Sequence, residues 1–104
     1  MYNVHMIQIG KVRFEWDKEK NELNKSKHKI DFSEAATIFL NPPLQIFFDP
    51  DHSESEDRYV AIGISLHNRT LTVVNCESHE GATVRIISAR KATKREQKLL
   101  QGDK

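Results

Sequence analysis

Polar and apolar residues alternate from about Lys11 to Trp16, which predicts a strand. Asp17 then stands where an N-cap is needed, ahead of a polar helix running to about Lys27. Leu23 is the only large aliphatic residue in that helix. A surface helix follows, with the five lysines between Lys18 and Lys29 mostly in solvent. A second helix is predicted to start near Asp31 to Ser33. Glu34 is placed to complete a capping box, and Ala35, Ile38 and Phe39 recur at helical spacing, so this helix belongs to the core. Asn41-Pro42-Pro43 ends it.

Beyond the prolines the period changes to that of strands. Leu44 to Phe48, Arg58 to Ser65, Thr70 to Cys76 and Thr83 to Ala89 each read as extended. Leu66-His67-Asn68-Arg69 reads as a hairpin loop, and Ser78-His79-Glu80-Gly81 as a turn. In Arg58 to Ile64 both faces of the alternation are fairly apolar, which predicts an interior strand. Thr93 with Glu96 forms another capping box and starts a C-terminal helix through Leu99-Leu100. The first ten residues read as an added strand or a loose arm. The sum is an α+β fold: an antiparallel-rich twisted sheet of about four to five strands, with two N-terminal helices and a C-terminal helix, the helices covering one side.

At 104 residues the chain has the length of a single domain over 1–104. Hydrophobic residues at 38% and charged residues at 30% are ordinary for a globular protein. No apolar run approaches the roughly 20 residues that span a bilayer, and Met1 to Met6 carries no leader, so a cytoplasmic protein is expected with no membrane partner. The lone Cys76, inside an apolar run, is expected to be a buried structural thiol. Neither a cysteine pair nor a histidine cluster is present, so no metal and no cofactor is expected.

The net charge of +1 conceals segregation: Asp49 to Asp57 holds five acids and no base, while Arg85 to Lys98 holds six bases and one acid. A strand of arginines leading into a basic helix suits phosphate or an acidic partner. Metal-free RNA cleavage needs a base for the 2′-hydroxyl, donors for the phosphorane and a proton for the leaving oxygen. Carboxylate or histidine with arginine or lysine is the minimum kit, and the chain has it. Arg85, on a strand, is the leading candidate phosphate clamp, or else a strand-surface arginine paired with an acid such as Asp49 or Glu77. Glu56 with Arg58 forms a candidate base and clamp, or a solvated acidic turn with its local ion pair. Arg90 is a candidate RNA contact, or a solvated or partner-paired residue; strict alternation puts it on the face opposite Arg85. Lys27 and His28 are candidates for phosphate contact and proton transfer, or residues that complement a helix C-terminus. His52 fits a general base or a turn residue. Trp16 fits a base-stacking platform or the core.

Phe14-Glu15-Trp16-Asp17, the run Asn21…Asn24…Lys27-His28, Asp51-His52-Ser53-Glu54-Ser55-Glu56-Asp57-Arg58 and Arg85-Ile86-Ile87-Ser88-Ala89-Arg90-Lys91-Ala92-Thr93-Lys94-Arg95-Glu96 together resemble the BrnT family of bacterial toxins. The resemblance covers about Val12 to Glu96. It implies a RelE-like ribonuclease fold, a toxin of a type II toxin-antitoxin module, growth arrest through RNA cleavage, and a BrnA-like ribbon-helix-helix antitoxin. It also implies that operator DNA is bound only through the toxin-antitoxin complex. The rival reading is a non-catalytic module that docks nucleic acid or an antitoxin. Lys29 departs from the glycine common after the Lys-His pair, and the C-terminal helix lacks the tyrosine often found there.

Overall fold

The computed structural model describes residues 4–53, 56–77 and 83–101. Among these residues the chain forms β1 (Val4–Ile9), β2 (Val12–Asp17), α1 (Lys18–His28), α2 (Phe32–Ala36), β3 (Leu44–Phe48), β4 (Asp57–Ile64), β5 (Thr70–Glu77), β6 (Thr83–Lys91) and α3 (Lys94–Leu100). The strands make a six-stranded sheet in the order β1-β2-β6-β5-β4-β3. All neighbours are antiparallel except β2 and β6, which run parallel. The expected four to five strands become six because the first residues form a strand: Gly10, at φ 61°, makes the tight turn that folds β1 back along β2.

The local signals for α1 hold. Asp17 caps it, its Oδ1 accepting from the amides of Glu19 at 2.8 Å and Lys20 at 3.4 Å. Leu23 is 70% exposed, so this helix is not held by aliphatic burial. Two buried asparagines anchor it instead. Asn24 donates to the carbonyls of Ile30 and Ala89 at 3.0 and 2.8 Å and accepts from the Ala89 amide at 3.1 Å. Asn21 accepts from the Phe32 amide at 2.9 Å. A buried polar group that satisfies its neighbours' backbone in this way substitutes for apolar packing in positioning the helix.

The second helix is shorter than its periodicity predicts: α2 tightens after Ala36 into a 3-10 turn over Thr37–Leu40. Ile38 of this turn lies over Gly63 of β4, where a Cβ would come within 2.9 Å of the Ile38 Cβ. The capping box expected at Glu34 does not form. Asp31 does cap the Ser33 amide at 2.9 Å, but Glu34 turns inward, accepting from Ser65 Oγ at 2.7 Å and Arg69 Nε at 2.9 Å. The Arg69 guanidinium holds the Glu34 carboxyl below the usual range, and Arg69 also reaches the carbonyl of Lys29. This ties the β4–β5 hairpin to both helix ends.

Helices cover both faces of the sheet, not one. Phe14, Trp16, Leu71, Val73, Val84 and Ile86 meet Ile30, Phe32, Ala35, Ala36 and Ile38 in the main core. On the reverse face, α3 lays Leu100 and the preceding Ala92 against Ile62 and Ile64. The capping box of α3 is present as expected, Thr93 Oγ1 accepting from the Glu96 amide at 3.1 Å and Glu96 from the Thr93 amide at 2.8 Å. Among the described residues, the seven-residue α3 is the helix that packs on that face, against Ile62 and Ile64, and the rest of the face carries no helix. Cys76 is buried, as expected.

Candidate active site

Register across the sheet assembles the open face. Glu15 on β2 is the Cα partner of Arg85 on β6, Arg85 of Cys76 on β5, and Cys76 of Arg58 on β4. Directly paired residues share a face. Arg85 alternates with the core residues Val84 and Ile86, so the row Glu15, Arg85, Cys76, Arg58 points away from α1 and α2. Phe47 and Val60, a cross-strand pair on the same face, add an exposed to half-buried apolar margin.

Arg85 Nη1 lies 3.0 Å from Glu56 Oε1, and Nη2 lies 3.9 Å from Glu15 Oε1. The side chains of Arg85, Glu56 and Glu15 are 47%, 35% and 19% exposed. An ion pair this open to water contributes on the order of 0–1 kcal/mol to folding, so stability alone gives it little purpose. Its guanidinium is fixed on a strand, flanked by carboxylates, and accessible to a ligand. Arg58 is pinned through its backbone: its amide donates to Ser53 Oγ at 2.8 Å, and its carbonyl accepts from the Asp49 amide at 2.8 Å. A cleft of about 410 Å³ opens beside this row, lined by Glu15, Asp17, Lys20 and Arg85 among others.

The sequence expectations divide along the two faces. Arg85, Arg58 and Glu56 come together, with Arg85 paired to Glu56 and not to Asp49 or Glu77. Lys27 and His28 end α1 in the helical layer on the other side of the sheet, so the structure does not bring them to Arg85. Trp16 is 3% exposed, stacked by His5 at 5.1 Å and met edge-on by Phe32. The base-stacking role expected of it is thus filled from within the chain. A larger groove of about 800 Å³ runs beside α1, lined by His5, Leu23, Lys25 and Asp31 among others, but it holds none of the Arg85 row.

Arg90 corrects the sequence reading twice. It lies on the same face as Arg85, because a bulge leaves Ile87 without a partner and shifts the register by one. Its guanidinium is nonetheless committed to Glu96, with Nη1–Oε1 at 2.8 Å and Nη2–Oε2 at 2.9 Å. The Arg90 guanidinium, with the Thr93 amide, holds the Glu96 carboxyl down at about 2. This fork ties β6 to α3, so a phosphate approaching Arg90 would have to compete with Glu96. Glu15 was missed as a site residue, although its alternation with Phe14 and Trp16 already put it on the solvent side of β2. The signal that was absent was the parallel pairing of β2 with β6.

An α+β chain whose open sheet face sets arginines among carboxylates has the makings of a phosphate-handling protein, and the comparisons agree. Residues 16–96 match the family described as ribonuclease toxin, BrnT, of type II toxin-antitoxin system, and the chain belongs to that family. Among solved structures it is similar to the Brucella abortus ribonuclease toxin BrnT, whose crystal structure has a resolution of 1.1 Å. The TM-score is 0.57 at 22% identity, with 76% of this chain and 94% of that chain covered, so this likeness speaks to the fold. A search of curated proteins gives no match. No helix among the described residues is long and apolar enough to cross a membrane.

Proposed function

We propose that this chain is a metal-independent endoribonuclease that arrests growth by cutting RNA, using Glu56 as general base and Arg85 with Arg58 as phosphate clamps. The observation that carries this reading is the Arg85–Glu56 pair at 3.0 Å on the uncovered face, with Arg58 in the same cross-strand row. A phosphodiester entering the row competes with Glu56 for the Arg85 guanidinium, whose planar donors suit two phosphate oxygens. The displaced carboxylate then lies beside the 2′-hydroxyl. Glu56 takes that proton, the 2′-oxygen attacks phosphorus, and Arg85 and Arg58 stabilise the charge that develops on the equatorial oxygens. Glu15, 3.9 Å from Arg85, is the second carboxylate beside the guanidinium. The bond from phosphorus to the 5′-oxygen then breaks and that oxygen takes up a proton, giving a 2′,3′-cyclic phosphate and a 5′-hydroxyl.

The type II family implies an antitoxin partner. A BrnA-like ribbon-helix-helix antitoxin is the partner we assign, with RNA as substrate. Induced expression in a bacterial host, with and without the neighbouring small gene product, tests the reading through growth and RNA integrity. Growth arrest with RNA fragmentation, relieved by the partner, is the expected result. Intact RNA in arrested cells would overturn it.

A further inference from the structure

We propose that His52, oriented by Asp49, is the general acid that protonates the departing 5′-oxygen, a role that rests on the ribonuclease reading above. The row itself supplies a base and two clamps; a proton donor has to come from its margins, where Lys20 lines the cleft beside Arg85 and His52 stands at the Arg58 end. Arginine holds its proton too tightly to give it up, and Cys76 is buried between the arginines' strands. Lys27 and His28 lie across the sheet. His5 stacks on Trp16 in the helical layer, and His67 sits in the β4–β5 hairpin at the far end of β4. His79 lies outside the described residues; among those described, His52 is the histidine that stands at the end of the row.

The placement is built by backbone. Asp49 extends the β3–β4 ladder by one position, its amide donating to the Arg58 carbonyl at 2.8 Å. Phe48 pairs with Tyr59, so by alternation Asp49 falls opposite Arg58 and shares its face. The row therefore runs Glu15, Arg85, Cys76, Arg58, Asp49. Pro50–His52 then forms a 3-10 turn that returns to the same point: Ser53 Oγ donates to the Asp49 carbonyl at 2.6 Å and accepts from the Arg58 amide at 2.8 Å. The turn is thus locked at both ends to Asp49 and Arg58.

Within it, His52 Nδ1 lies 2.9 Å from Asp49 Oδ2, and the imidazole is 62% exposed. A carboxylate on one ring nitrogen fixes the ring's direction and leaves the other to exchange a proton with substrate. With Nδ1 committed to Asp49, Nε2 is that nitrogen. The step balances: the 2′-hydroxyl proton passes to Glu56 as the 2′-oxygen bonds to phosphorus, the bond from phosphorus to the 5′-oxygen breaks, and the Nε2 proton passes to that oxygen. Base and acid are then separate residues, Glu56 held on Arg85 and His52 on Asp49. Asp49 is a positioning residue and touches no reacting atom.

The test uses the purified full chain and two oligonucleotides, one with an ordinary linkage and one with sulfur in place of the bridging 5′-oxygen. A thiol ionises near about 8.5 against about 15.7 for water, so the sulfur leaving group departs without an acid. His52→Gln is expected to cut the oxygen substrate about 100-fold or more slowly, and the sulfur substrate less than about 10-fold more slowly. Asp49→Asn should show the same asymmetry more weakly. Both substrates are measured on one preparation, so any unfolded fraction cancels from the ratio. Equal losses on the two substrates, or no loss on either, would overturn the assignment while leaving the ribonuclease reading intact. Failure of the wild type on both substrates would remove that reading, and this one with it.

Discussion

Arg85 and Arg90 lie on the same face of the sheet although five positions separate them, because Ile87 bulges out of the ladder between β5 and β6. One extra residue inverts the alternation for everything after it. The bulge divides β6 into two working halves. Before it, Arg85 faces the open row with Glu56. After it, Arg90 faces α3 and is clasped by Glu96.

The clasp predicts a pH dependence of stability. Glu96 titrates near 4.5 when unfolded and about 2 when folded, so its folded value is depressed. Its contribution is complete above about 4.5 and disappears as pH falls toward about 2. Arg90 is 42% exposed, so solvent screening leaves a contribution of about 1 kcal/mol. Glu96→Gln should therefore unfold at lower urea than wild type at pH 6, with the gap narrowing below pH 4.5. A gap that widens as pH falls would contradict the assignment.

Asn24 should be worth more to folding than its place on a polar helix suggests. Asn24→Leu leaves the Ala89 amide and the Ala89 and Ile30 carbonyls without their partner, which costs about 1–3 kcal/mol for buried groups. Chemical denaturation of wild type and variant measures it. A neutral or stabilising effect would show that apolar volume suffices at this position.

Local signals in this sequence were readable wherever one element decides its own limits. Asp17, Asp31 and Thr93 cap their helices, and the prolines after Asn41 close the second helical segment. Arg85, Arg58 and Glu56 were legible as residue types, but their pairing was not: Asp49 or Glu77 was expected on Arg85 and Glu56 beside Arg58, whereas Glu56 pairs with Arg85. What could not be read depends on long-range pairing. The parallel β2–β6 contact brings Glu15 to Arg85, the Ile87 bulge turns Arg90 round, and α3 crosses to the reverse face of the sheet. Lys27 and His28 were linked to the site by motif, and the sheet separates them from it.

That separation is testable. Lys27→Ala and His28→Ala should keep the single-turnover cleavage rate at saturating RNA within about threefold of wild type, because neither reaches the open row. Lys27→Ala can still weaken RNA binding through lost charge, which appears as a shift in half-saturating concentration. A rate loss of about 100-fold in either variant, with fold retained, would place the chemistry on the helical side.

The basic helix α3 offers a prediction about the antitoxin. Lys94 and Arg95 are exposed on a helix that packs on the same sheet face as the proposed site, so an acidic segment drawn to this surface should associate faster at low salt. Lys94→Glu with Arg95→Glu should slow association and flatten its dependence on ionic strength. Stopped-flow mixing of toxin and antitoxin across a salt series measures this, and rates unchanged by salt or by the double variant would exclude electrostatic docking at α3.

The central claim is that Arg85 clamps phosphate on the open face without a metal. Single-turnover cleavage of an RNA oligonucleotide in EDTA, for wild type and Arg85→Ala, addresses it most directly. Wild type should cleave at its full rate in the chelator, and Arg85→Ala should cleave about 100- to 1,000-fold more slowly with an unchanged melting temperature, as expected for loss of a transition-state donor. Cleavage that stops in EDTA and returns with a divalent ion, or an Arg85→Ala rate equal to wild type, would contradict it.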